Sequence, residues 1–259
     1  MFLGDLHIHS KFSDGSLSIP ELVDLYGEAG FGVIAITDHI CEEETFLGKG
    51  ARYLNRTLTR ATFPLYQKIL KTEAKRAWDR YRMVVLPGFE LTKNSIRNSR
   101  SAHILGIGSP DFISADQDIV EMARAIRSQG GLAVAAHPVS TKKLEAQTYH
   151  LWERRRELAQ ELDAWEVASG PELFQEVVKS NLPKLANSDL HKPKQMSSWK
   201  TAFTCERHPE AILEAVRQQE IAFRFFNAEE YGSALSRRRG MGVFRPPYLG
   251  GNSIIPQAG

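Results

Sequence analysis

The sequence predicts an α/β protein of repeated βα units, closed or nearly closed into a barrel. Three observations carry that reading. Short apolar, β-branched runs alternate with amphipathic, capped runs through most of the 259 residues, the pattern of strands joined by helices in a parallel sheet. About seven such units follow one another, which favours a closed sheet over an open one. Residues with ligand chemistry sit at the ends of the apolar runs rather than being scattered.

Taken in order, "GDLHIH" (4–9) reads as a strand. "SIPELVDLYGEAG" (18–30) reads as a helix, with Ser18 as cap, Pro20 in the first turn and Gly30 as the stop. "FGVIAITDH" (31–39) is a buried strand, and a long polar, basic, helix-prone insertion follows over 42–82. "RMVVLPGFELT" (82–92) and "SAHILGIG" (101–108) are the next strands. "ADQDIVEMARAIRSQGG" (115–131) is an amphipathic helix with a glycine stop, and "LAVAAHP" (132–138) a strand ended by Pro138. A helical stretch (142–162), the strand "DAWEVASG" (163–170) and the helix "PELFQEVVKSN" (171–181) lead to the strand "LPKLANSDLH" (182–191). "TAFTCE" (201–206) is a further strand candidate before the helix "HPEAILEAVRQQ" (208–219). Residues 1–231 read as one domain, and the Gly-, Pro- and Arg-rich 232–259 as a loosely held extension.

Bulk properties exclude several function classes. Hydrophobic content of 42% supports one substantial core, and a net charge of +2 demands neither a nucleic-acid nor a membrane partner. Cys41 and Cys205 form no CxxC pair, which suits a reducing compartment. The first residues lack the apolar core of a secretory signal, and no apolar run is long enough to span a bilayer, so the expected address is the cytoplasm. There is no GxxxxGK[ST] loop and no GxSxG elbow.

Six of the eight histidines fall at strand ends: His7 and His9 on the first, His39 beside Asp38 on the second, His103, His137, and His191 beside Asp189. Glu90 ends the third strand, and Asp14 lies in the loop after the first. In a barrel these ends converge on one face. Residues two apart on a strand share a side, so His7 and His9 can reach one ion. A lone histidine at a strand end is more often a satisfied core residue than a ligand. Independent core histidines, however, have no reason to choose the same end of successive strands. So many imidazoles and carboxylates in one bowl need cations to offset repulsion and lost hydration. Asp38 and Asp5 read as acids that support the ligands, Cys41 as a small buried thiol, and His150 and His208 as surface residues. Arg97, Arg100 and Lys192 follow Glu90 and His191 and can reach an anionic substrate; a solvated turn explains the two arginines equally well.

As a set, "DLHIHSKFSDG", "VIAITDH", "GFELT" with "AHILGIG", "AAHP" and "NSDLH" resemble the PHP family, the polymerase and histidinol phosphatase domain, in the family's order over residues 5 to 191. The resemblance implies a distorted (β/α)7, TIM-like barrel with a helical insertion after the second strand and a trinuclear centre of divalent ions (Zn, Mn or Fe). His7, His9, Glu90 and Asp189 would hold the first ion. Glu90 would bridge to a second held by His103 and His137, and Asp14, His39 and His191 would hold the third. The implied activity is hydrolysis of a phosphate ester by a metal-bridging hydroxide, with Glu90, Asp189 and His191 as catalytic residues. A small phosphomonoester, a nucleotide or a short oligonucleotide would be the substrate, and no protein partner is called for.

Three rivals remain open on residues alone. An amidohydrolase-type enzyme shares the HxH pair but would need a metal-bridging lysine where this chain has Glu90. A 5'-3' exonuclease acting on short RNA or DNA ends would use the basic stretch 42–82. A non-catalytic metal-bound module would have no need of so complete a donor set.

Overall fold

A computed structural model describes residues 1–54, 56–94, 101–139, 149–229 and 253–254. Its strands form two six-stranded mixed sheets. In the first, β1 (Phe2–Asp5) lies parallel to β2 (Val33–Ala35), which lies parallel to β4 (Val84–Leu86). On the other side of β1, β10 (Ser198–Phe203) runs antiparallel, followed by β11 (Ile221–Phe226) and the two-residue β12 (Ser253–Ile254). The second sheet has the order β3 (His39–Cys41), β5 (Gly88–Lys93), β6 (Ala102–Ile107), β7 (Leu132–Ala135), β8 (Ala164–Ser169), β9 (Lys184–Asn187).

Two expected strands each divide between the sheets. "FGVIAITDH" breaks into β2 and β3 around Thr37, and "RMVVLPGFELT" breaks at Pro87, whose ring cannot donate a ladder hydrogen bond. Continuity survives in single bonds: Thr37 N donates to Ile8 O (2.7 Å), Glu90 N to Asp38 O (3.1 Å), and Ile8 bridges Leu190 in parallel. The parallel expectation holds for β7–β8–β9 and fails at β6, which runs antiparallel to both β5 and β7. Apolar runs report burial, not strand direction.

Between β3 and β4 lie α2 (Phe46–Tyr53) and α3 (Phe63–Tyr81). α3 buries Phe63, Tyr66, Leu70 and Ala77 and leaves Lys68, Lys71 and Lys75 to solvent, while Arg76 pairs with Asp24 and Glu73 (2.6 Å each). α1 (Ile19–Glu28) starts where expected, with Ser18 N donating to Glu21 Oε2 (2.7 Å). Gly30 follows at φ +79°, a conformation that suits glycine. α4 (Ile119–Ser128) is capped by Asp118, which accepts from Val120 N (2.9 Å). The helical stretch expected over 142–162 is present as α5 (Tyr149–Glu153) and α6 (Arg155–Leu158); residues 142–148 lie outside the described residues. The "PELFQEVVKSN" helix is one turn, α7 (Gln175–Val178), while α8 (Pro209–Arg217) matches its expectation. Apart from β12, the extension 232–259 also lies outside the described residues. Apolar side chains of both sheets and of the helices form one core cluster that includes Leu6, Ile8, Phe89, Ile104, Val134, Trp165 and Leu185.

Candidate metal centre

The segments that follow β1, β7 and β9, the starts of β3 and β6 and the middle of β5 bring nine side chains together; His39 opens β3 and Glu90 sits inside β5, where the sequence placed both at strand ends. Four overlapping groups hold donor atoms within 4.8 Å of one another: His9–Asp14–His39–His191, His7–His137–Asp189, His7–His9–Glu90 and Glu90–His103–His137. All nine side chains expected as ligands are in these groups. His9 joins two of them, where the sequence reading placed it in one. Cys41, His150 and His208 are in none; burial pushes the Cys41 thiol up to about 11.

His7, His9 and Glu90 form a floor with no solvent exposure. Asp189, Asp14, His191 and His137 form a rim, exposed by 23 to 29%. Glu90 stands between two sets of donors. Its Oε1 lies 2.9 Å from His103 Nδ1 and 3.3 Å from His137 Nε2, while Oε2 lies 3.4 Å from both His7 Nε2 and His9 Nε2.

Supporting groups fix which imidazole nitrogen carries the proton. His7 Nδ1 faces Glu166 Oε1 (3.0 Å), His191 Nδ1 faces the Asp189 carbonyl (3.0 Å), and His39 Nδ1 faces Thr92 Oγ1 (2.7 Å), whose hydroxyl donates to Glu90 O. Each of these oxygens accepts, so Nδ1 donates and Nε2 presents its lone pair. Those Nε2 atoms then point at carboxylate oxygens. His7 Nε2 is 3.3 Å from Asp189 Oδ1; His191 and His39 Nε2 are 3.2 and 3.6 Å from Asp14 Oδ1. Lone pair facing lone pair is repulsive unless a proton or a cation lies between. Metal–ligand bonds of about 2.1 Å place neighbouring donors roughly 3.0–3.4 Å apart, the spacing found here. Three buried atoms, His9 Nδ1, Glu90 Oε2 and Asp189 Oδ1, make no hydrogen bond among the described residues. The donor set therefore fits divalent cations.

The electrostatics agree. Burial lowers the His9 pKa, with the His39 charge beside it, to about 3, so His9 stays neutral with a lone pair to give. Burial alone would raise Glu90, but His39, His103 and His7 outweigh it and hold the carboxyl well below its ordinary range. Asp189 is likewise held well down, against burial, by His7 and His9. Burial opposes the charge on His191 too, yet Asp14 and Asp189 lift it to about 9, and nearby carboxylates likewise raise His7 and His39 against burial, so without an ion a proton fills the gap between Nε2 and carboxylate that a cation would take.

Backbone geometry aims the rim. His137 (φ +29°) and Asp189 (φ +53°) adopt left-handed backbone, uncommon outside glycine and found where a site needs a special direction. Glu166 Oε2 accepts from His137 N (2.7 Å), and its Oε1 also accepts from Asn187 Nδ2 (2.8 Å). Asp38 accepts from Ser10 N, Ser10 Oγ and Ser13 Oγ (2.8, 2.6 and 2.5 Å), which shapes the loop carrying Asp14. Gly15 packs against the His9 carbonyl so closely that a Cβ would lie 2.1 Å from that oxygen. Gly15→Ala is therefore expected to displace Asp14 and weaken metal binding, read by titration; unchanged binding would show that the loop yields.

Sequence reasoning missed Glu166, Asn187 and Thr92. Glu166 could have been noticed as an acid inside the apolar run "AWEVAS", at a position facing the core. Of the expected substrate contacts, Lys192 is exposed beside His191, while Arg97 and Arg100 lie outside the described residues.

A family model described as PHP domain matches residues 5–107. A solved two-domain protein from Bacteroides vulgatus, containing a predicted PHP-like metal-dependent phosphoesterase, shares 22% identity at a TM-score of 0.60, over 91% of this chain and 69% of that one. A protein from Listeria monocytogenes named as a candidate histidinol phosphatase is 13% identical, TM-score 0.42, over 74% of this chain and 96% of that one. An amidohydrolase from Chromobacterium violaceum, with bound sulfate and no metal, is 19% identical, TM-score 0.44, over 73% and 87%. No curated protein matches. No helix among the described residues is long and apolar enough to cross a membrane.

Proposed function

We propose that this chain, whose residues 5–107 match the PHP domain model, is a metal-dependent phosphoesterase with a three-ion centre. The observation that carries the reading is the set of imidazole Nε2 atoms that face carboxylate oxygens across one bowl at 3.2–3.6 Å. His7, His9, Glu90 and Asp189 would hold one ion. Glu90, through its other oxygen, would share a second with His103 and His137, and Asp14, His39 and His191 would hold a third, which His9 also faces. Divalent ions of the Zn, Mn or Fe kind would supply Lewis-acid charge and a water acidified toward neutral pH. The fold reading that goes with this is a distorted seven-stranded barrel, supported by the bonds through Ile8, Thr37 and Asp38, with residues 42–82 inserted.

The chain's own residues would do the rest. The exposed rim leaves one side open for a phosphoryl group, and Lys192 brings positive charge to that side. Asp189 or His191 would pass a proton to the departing alcohol, a role that either would combine with holding an ion. The substrate is read as a small phosphomonoester or a nucleotide.

Elemental analysis followed by a phosphate-release screen over mononucleotides, sugar phosphates and short oligonucleotides tests this. Chelation is expected to abolish release, and Mn, Zn or Fe to restore it. A metal-loaded protein that cleaves amides or lactones and spares phosphate esters would overturn the reading. Glu166→Gln provides a second check, because a side-chain amide can donate to His7 Nδ1 and reverse its tautomer. Metal affinity is expected to fall about 10–100-fold; wild-type affinity would remove Glu166 from the scheme.

A further inference from the structure

We propose that Asp5 is a positioning residue for Asp189, and that the buried Lys200 and Tyr26 hold it in that task. The inference rests on the metal-centre reading above and adds residues that reading does not use. Asp5 and Lys200 are both fully buried, behind the floor of the bowl. The antiparallel register that pairs Gly4 with Thr201 carries Lys200 beside Asp5, and Lys200 Nζ lies 2.7 Å from Asp5 Oδ2 and 2.7 Å from Ser198 Oγ. Tyr26 OH also donates to Asp5 Oδ2 (2.7 Å).

With Oδ2 held from one side, the carboxylate turns its remaining capacity toward Ser188. Ser188 N donates to Oδ1 (3.0 Å) and Ser188 Oγ to Oδ2 (2.6 Å). The next residue is Asp189, whose backbone is left-handed and whose Oδ1 faces His7 and His9 at 3.3 and 3.2 Å. A left-handed aspartate needs its neighbours to fix it. Asp5 supplies that from the residue pair just ahead of His7, while Asn187 Oδ1 accepts from Leu6 N (2.9 Å) alongside. One carboxylate thereby registers the segment of the first two histidines against the segment of Asp189. Packing alone does not call for a charge here, because an apolar pair of equal volume avoids the desolvation cost. What an apolar pair cannot provide is an oriented acceptor at Ser188 N.

Two charge-free double variants separate positioning from stability. Asp5→Asn/Lys200→Met keeps an acceptor for Ser188 N; Asp5→Ala/Lys200→Met removes it. Each full-length protein, stripped of metal, is titrated with Mn²⁺ and melted without it. The alanine double variant is expected to bind Mn²⁺ about 10–100-fold more weakly than wild type, and the asparagine one within a few-fold. Equal, wild-type affinity in both, whatever their melting temperatures, would assign Asp5 a structural role and overturn the proposal. Should the alanine variant fail to fold, Asp5→Val/Lys200→Met fills the space and likewise removes the acceptor for Ser188 N: weaker Mn²⁺ binding than in the asparagine variant supports positioning, and equal binding overturns it. A wild-type chain that binds no Mn²⁺, Zn²⁺ or Fe²⁺ defeats the metal-centre reading and this inference together, whereas a metal-binding wild type with indifferent variants defeats this inference alone.

Discussion

Glu90→Gln is expected to lower phosphate-ester hydrolysis by at least about 10³-fold, the scale of losing a charge aimed at the reacting centre, and to reduce bound metal per chain. The argument is geometric. Each carboxylate oxygen serves a different set of nitrogens, with His103 and His137 on one side and His7, His9 and, at 2.9 Å, His39 Nδ1 on the other. Glutamine keeps the shape, so the fold is expected to survive, but it carries no charge and offers one acceptor instead of two. The loss should therefore exceed that of a single rim ligand, because two ion positions weaken at once. His191→Ala, by comparison, removes a donor from one position only. Elemental analysis and kcat/KM on the folded variant check this. Wild-type metal content and activity in Glu90→Gln would mean that the carboxylate bridges nothing.

The nine side chains that the fold brings together were legible in the sequence because the constraint on them is local. A strand end fixes a direction, and the two-residue spacing of His7 and His9 fixes a shared side. The groups that orient the donors were less legible. Glu166 stands out only as an acid inside the apolar run "AWEVAS", and Lys200, in "SSWKTAF", reads as the solvent-facing position of an alternating strand. Only pairing with segments more than 150 residues away in sequence shows that both are buried. Thr92 and Asn187 have ordinary residue types, and their roles depend on which nitrogen or backbone group they meet. The fold divides in the same way. Strand positions followed from apolar periodicity, apart from "IAFRFF" (β11), which follows α8 without a turn signal of its own, and the two-residue β12 that pairs with it from the extension expected to be loosely held. The direction of β6 and the break at Thr37 are settled by tertiary packing, which no short window contains.

Lys200→Met is expected to destabilise the chain by about 3–5 kcal/mol, the cost of leaving one member of a buried ion pair without its partner, and so to lower Tm by roughly 6–20 °C for a chain of this size. Methionine fills nearly the same volume, so the effect is electrostatic rather than a cavity. Asp5 would retain Tyr26 and Ser188 as donors but lose its counter-charge in a site with no solvent access. Asp5→Asn/Lys200→Met should regain most of the loss, since no charge is then buried, and a cycle of the three variants measures the pair directly. The pH dependence has a definite sign. Burial lowers the Lys200 pKa, and Asp5 opposes that lowering only in part. Between the folded value and the ordinary lysine value the unfolded chain binds more protons than the folded one, so wild-type stability rises with pH there. Methionine cannot titrate. The stability gap between wild type and Lys200→Met should therefore widen as pH climbs toward the ordinary lysine range, as measured by denaturant melts at successive alkaline pH values. A gap that narrows over that interval would mean that Asp5 raises the lysine's pKa by more than burial lowers it.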